Sequence, residues 1–231
     1  MNAHAPSRIH RLIAEPRAQT LGEEIANSIS HGVGCLLAIA SLPVLLHACM
    51  QRGGRTVDLV AVSLFCATMI LLYAVSAVYH ALPIGRVKDV LNRCDHAAIY
   101  LFIAGSYTPF ALGALRGGLG WTLFGVVWVL AAMGALAKLL NRLSHPLWST
   151  GLYIAMGWMA VFAAGPLLHS VSPQGLSLLL AGGIAYTLGA VVFLLDNRVR
   201  YAHFVWHLFV IAGSTCHFFA ALSAGFSAAP R

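Results

Sequence analysis

The stretch His203-Phe204-Val205-Trp206-His207 places two imidazoles one helical turn apart at the start of the last apolar segment of the chain. Residues four apart share a helix face. A third imidazole, His80, closes the second apolar segment as Ser76-Ala77-Val78-Tyr79-His80. If the two segment ends lie on the same side of a membrane, the three rings can converge. Three histidines with an open fourth position are a donor set for zinc, and such a site brings the pKa of water to about 7, which yields a nucleophile at neutral pH. Other reactive groups sit at neighbouring segment ends. Glu24-x-x-Asn27-x-x-x-His31 falls on one helical face, because offsets of three and seven return to nearly the same angle. Asp95 opens the third segment, and Ser76, four residues before His80, is placed to orient it.

Each group also has a plainer reading. His203 and His207 fit interfacial residues that snorkel to headgroups. Ser76 fits a hydroxyl bonded to the carbonyl one turn back. Asp95 fits a helix N-cap or first-turn acid, and Glu24, Asn27 and His31 fit a polar stripe at the membrane surface. His96 points about 100° away from Asp95 around a helix and does not share its face. What weakens the plain readings is their coincidence, since intramembrane ionisable groups are costly and default to function. Metal binding explains why the buried donors are imidazoles.

The elements that must position these groups follow from composition. Hydrophobic residues make up 59% of 231 positions and charged residues 9%. One soluble core cannot hide that much apolar surface. A bilayer-spanning helix needs about 20 apolar residues. The chain divides into seven such stretches, expected at 26–49, 57–80, 94–114, 120–140, 147–168, 175–195 and 204–226. They are too long for barrel strands and show no alternation, so an all-α integral membrane fold is expected. A short tail (1–22) precedes a single seven-helix domain (23–227), with Pro43, Pro109 and Pro166 expected to kink their helices. Five scattered cysteines without C-x-x-C spacing read as free thiols. The tail lacks the compact basic-then-apolar order of a cleaved signal, so the first helix is expected to insert uncleaved.

Lys and Arg divide unevenly between the two sides. Arg8, Arg11, Arg17, Arg86, Lys88, Arg93, Lys138, Arg142, Arg198 and Arg200 make ten on one side, against Arg52, Arg55, Arg116 and Arg231 on the other. The positive-inside rule then puts the N-terminus in the cytoplasm and, with seven spans, the C-terminus outside. The net charge of +7 does not form a patch with exposed aromatics, so nucleic acid is not an expected partner; membrane lipids are. In this topology His80, Asp95, His203, His207 and the Glu24–His31 stripe share the inner leaflet. His47, His169 and His217 are isolated in the outer half.

These blocks, together with Asp95-His96-Ala97-Ala98-Ile99-Tyr100 and Ala104-Gly105-Ser106-Tyr107-Thr108-Pro109, resemble the signature of the progestin and adipoQ receptor (PAQR) family, and in particular its bacterial haemolysin III branch. The resemblance covers roughly residues 20 to 225. It implies seven helices with the N-terminus inside, and Zn2+ held by His80, His203 and His207 near the cytoplasmic face. It also implies that Asp95 reaches the metal through water. Glu24, Asn27 and His31 then form a polar wall and not ligands, and Asp95 and Ser76 are the candidate catalytic pair. The resemblance implies a zinc-binding multi-pass protein of the bacterial inner membrane; an open zinc site at inner-leaflet depth would meet an acyl chain, so hydrolysis of a lipid amide or ester is the expected activity. The alternative is a membrane-homeostasis or haemolytic protein in which zinc only staples helices.

Overall fold

The structure is a computed structural model and describes residues 17–224. Arg8, Arg11 and Arg231, which entered the charge count, lie outside the described residues. Seven helices are long and apolar enough to cross a membrane: α1 (Leu21–Gln51), α2 (Thr56–Ala81), α3 (Arg86–Leu115), α4 (Gly117–Leu139), α5 (Pro146–Ser170), α6 (Pro173–Phe193) and α7 (Ala202–Ser223). No strand occurs among the described residues, so the all-α architecture is as expected. All five cysteines are free.

Two helices start earlier than hydropathy alone places them. Thr20 caps α1: its side chain accepts the Glu23 N–H, while the Glu23 carboxylate accepts the Thr20 N–H. This reciprocal capping box starts the helix ahead of its apolar portion. α3 starts at Arg86, so most of the stretch 81–93 between the second and third expected spans is helix. Arg86, Lys88, Asp89 and Arg93 take these turns out of hydrocarbon without breaking them. Lys88 folds inward, where its Nζ donates to the carbonyls of Tyr79 at 3.1 Å and Leu82 at 2.9 Å. The Tyr79 carbonyl also accepts the Leu82 N–H at 3.4 Å, so Lys88 adds to the cap at the end of α2, where a cation suits the helix dipole.

The prolines act unequally. Pro43 sits inside an unbroken α1. At Pro109 the backbone of α3 widens into π-helical turns through Leu115, a way of accommodating the missing N–H. α5 breaks before Pro166: an α-helical part ends at Gly157 and a 3-10 stretch runs over Trp158–Ala163. The hydroxyl of Tyr107 on α3 serves this break. It lies within donating distance of the carbonyls of Met156 (2.9 Å) and Gly157 (2.6 Å) and accepts the Ala160 N–H at 2.9 Å.

The pairs α1–α2, α2–α3, α3–α4 and α6–α7 pack side by side, α5 leans on α3 and α6, and α7 returns against α1. α3 is the central helix, with 72% of its most apolar window buried, against 11–50% for the others. Gly105 lets it approach α2, because a Cβ there would collide with Thr68. α4, α5 and α6 turn large apolar side chains outward, among them Leu136, Phe162 and Leu188, as a lipid-facing surface does.

Candidate metal centre

Alternating helix directions bring the end of α2 and the starts of α1, α3 and α7 to one end of the bundle. There His80, His203 and His207 meet. Each is buried, and each offers one nitrogen to a group whose donor atoms all lie within 4.8 Å of one another. Ring centroids are 4.8 Å apart for His203–His207, 4.9 Å for His80–His203 and 5.1 Å for His80–His207. A left-handed Tyr201 (φ 59°) turns the chain into α7, and the four-residue spacing puts both of its histidines on the inner face.

The outer nitrogen of each ring is already engaged. His80 Nδ1 lies 2.7 Å from Glu24 Oε2, and His203 Nδ1 lies 2.9 Å from Asp196 Oδ2. Carboxylates only accept, so both nitrogens carry hydrogen. His207 Nδ1 is 3.1 Å from Ser30 Oγ, whose own hydrogen goes to the Asn27 carbonyl at 2.8 Å. All three rings therefore hold their proton on Nδ1 and turn an Nε2 lone pair inward. None of the three Nε2 atoms has a hydrogen-bond partner among the described residues. Three buried lone pairs facing one another are unfavourable unless a cation lies between them. Carboxylate–histidine pairs of this kind fix the orientation and basicity of metal-binding imidazoles. The residues present thus fit a metal ion.

A second layer ties these acceptors together. Glu24 Oε1 pairs with Lys88 Nζ at 3.0 Å. Asp196 accepts from Gln19 Nε2 at 3.3 Å, while Gln19 Oε1 accepts from Asn27 Nδ2 at 2.6 Å. Glu23 takes the Tyr201 N–H at 2.8 Å and a bidentate pair with Arg17, which fastens the start of α1 over the start of α7. Gln19, Ser30, Lys88 and Asp196 belong to the site, yet their types and positions had not marked them. The available signal was in the acids: of the seven in the chain, Glu23, Glu24, Asp89, Asp95 and Asp196 stand at this end.

Glu24, Asn27 and His31 all face the histidine cluster. His31 stacks on His207 with centroids 3.4 Å apart and planes 8° apart. Glu24, not Ser76, engages the outer nitrogen of His80. Ser76 is fully buried beside Asp95. Asp95 is buried, and its Oδ2 has no hydrogen-bond partner among the described residues; it stands outside the three-histidine group. His96 faces elsewhere: its Nδ1 donates to the Asn92 carbonyl at 2.8 Å. From Asp95 and His31 a cavity of about 500 Å³ runs into the bundle between α3, α5, α6 and α7. Its walls are mostly apolar, with Phe102, Phe110, Leu167, Leu176 and Val210 among them. His217, isolated in the sequence, lines it as well.

Residues 19–218 match the family model described as haemolysin-III related. The chain belongs to the haemolysin III family. It is 43% identical over 203 residues to the "Hemolysin-3 homolog" of Bacillus subtilis (strain 168), covering 88% of this chain and 94% of that protein. Similarity to "Hemolysin-3" of Bacillus cereus is 43% over 205 residues, covering 88% and 92%. A more distant likeness, 28% over 224 residues and covering 91% and 88%, is to the human "Monocyte to macrophage differentiation factor", a PAQR-family protein. This haemolysin III family member is thus a multi-pass membrane protein with three histidines that can hold a metal ion.

If Glu24 and Asp196 orient the ligands, Glu24→Gln and Asp196→Asn should each weaken metal binding about 10- to 100-fold. Competition with a chelator of known affinity measures this, and near one metal per chain should remain at saturation. Wild-type affinity in both variants would remove the two carboxylates from the site.

Proposed function

We propose that this chain is a zinc-dependent hydrolase that cleaves an amide or ester bond of a membrane lipid at the inner leaflet of a bacterial inner membrane. The carrying observation is a mostly apolar cavity lined at one end by Asp95, whose Oδ2 has no hydrogen-bond partner among the described residues, and by His31, the ring that stacks on His207 of the three-histidine group. Neutral imidazoles suit zinc. A zinc ion held there would supply Lewis acidity and water activation near neutral pH.

The residues of the chain then divide the work. His80, His203 and His207 hold the ion, and Glu24, Asp196 and Ser30 hold the histidines. The cavity takes the acyl chain and excludes bulk water from the bond to be cleaved. Asp95 Oδ2 accepts a proton as the oxygen of water bonds to the acyl carbon. It returns that proton to the leaving nitrogen or oxygen as the acyl C–N or C–O bond breaks, giving a carboxylic acid and an amine or alcohol. Ser76, beside Asp95, positions that carboxylate. The competing reading, a metal that only staples α2 to α7, draws on the full burial of the ligands. Purified, zinc-loaded protein in vesicles of ceramide or phospholipid tests the choice. Release of free fatty acid that stops with Asp95→Asn supports the hydrolase; no release from either lipid class supports the staple.

Placement at the inner leaflet rests on the ten-to-four division of Lys and Arg. A reporter enzyme active only outside the cytoplasm should work when fused after Arg231 and fail when inserted between Arg142 and His145. The reverse pattern would move the site to the outer leaflet.

A further inference from the structure

Both ring nitrogens of His31 lack a hydrogen-bond partner among the described residues, although the residue is only 2% exposed. The stack on His207 excludes it as a fourth ligand. An imidazole binds metal through a lone pair in its own plane. An ion in the plane of His207 lies a stacking distance of 3.4 Å from the plane of His31. A zinc–nitrogen bond of about 2.0–2.1 Å cannot cross that gap. Packing does not account for the residue either. Tyr73 meets the ring edge-on at 4.9 Å, and a phenyl would fill the same slot without burying two unpaired polar atoms. His31 does line the cavity that also reaches Asp95.

We propose that His31 is a substrate-binding and catalytic hydrogen-bond donor: its ring N–H, always present on one nitrogen of a neutral imidazole, is given to the acyl carbonyl oxygen of the lipid. This rests on the hydrolase reading and adds the group that grips the bond to be cleaved. The carbonyl oxygen gains negative charge as its carbon becomes tetrahedral, so a fixed donor in a dry cavity stabilises that state more than the ground state. No proton leaves His31 in the step. The acyl chain beyond the carbonyl follows the apolar walls towards His217.

The test uses the full-length, zinc-loaded protein in detergent with palmitamide labelled isotopically at its carbonyl. Binding is followed by quenching of Trp158 and Trp206, which line the cavity, and the carbonyl by its infrared stretch. Wild type should lower the stretch relative to palmitamide in empty micelles. His31→Phe, which keeps the stack, should abolish that shift, weaken binding about fivefold and slow hydrolysis of a palmitoyl amide about 10²-fold, with bound zinc unchanged. His31→Gln, which keeps a donor without the ring, should retain the shift and most of the turnover. A wild-type shift in His31→Phe, or a loss of shift that only accompanies loss of zinc, would overturn the assignment and leave the hydrolase reading standing. Palmitamide that fails to bind wild type would overturn both.

Discussion

Replacing His80, His203 or His207 singly by alanine should strip most of the bound metal from purified protein. Each ring contributes one of only three inward lone pairs within a 4.8 Å group, and removing one leaves two donors, too few for the tetrahedral demand of zinc. The loss should be similar for all three, because each is anchored from behind in the same manner: by Glu24, Asp196 and Ser30 respectively. Elemental analysis of the three variants beside wild type measures it. A variant that retains full metal shows that its histidine is not a ligand. Destabilisation should accompany metal loss, since α2 and α7 would lose their shared ion while two buried imidazole lone pairs stay unpaired.

Asp95→Asn should separate metal from chemistry. The side chain stands outside the three-histidine group, and its Oδ2 has no hydrogen-bond partner among the described residues. The amide keeps the shape and loses the capacity to accept a proton from water. Zinc should therefore remain near wild-type content while hydrolytic turnover falls about 10²- to 10⁴-fold, the usual worth of a general base. Turnover on a lipid amide and metal content, measured on one preparation, decide the matter. Loss of metal in Asp95→Asn would make Asp95 a ligand, and undiminished turnover would remove it from the reaction.

The fold was legible because bilayer thickness and the need to satisfy every backbone group leave few options for a chain of this composition. The three histidines were legible for a related reason: a four-residue spacing fixes their common face in α7, and alternating helix directions bring His80 to the same end. The partners behind them were not. Asp196 reaches His203, seven residues on, only because the turn between α6 and α7 folds back on itself, a geometry with no pattern in residue types. Ser30 looks like any helical serine until His207 approaches it. In the sequence Lys88 reads as a topology charge, yet it caps α2 and pairs with Glu24. The early start of α3 escaped hydropathy because charge ends a hydrophobic window without ending a helix. The break in α5 at Gly157 depends on the Tyr107 hydroxyl of another helix and left no local sign stronger than Pro166. The capping box Thr20-x-x-Glu23 was readable and marks the start of α1.

The most direct test is the metal content of the wild-type protein, purified in detergent without chelator from cells grown with zinc. One zinc per chain is expected, held by the three inward imidazole nitrogens. Protein that is folded, helical and free of stoichiometric metal would contradict it.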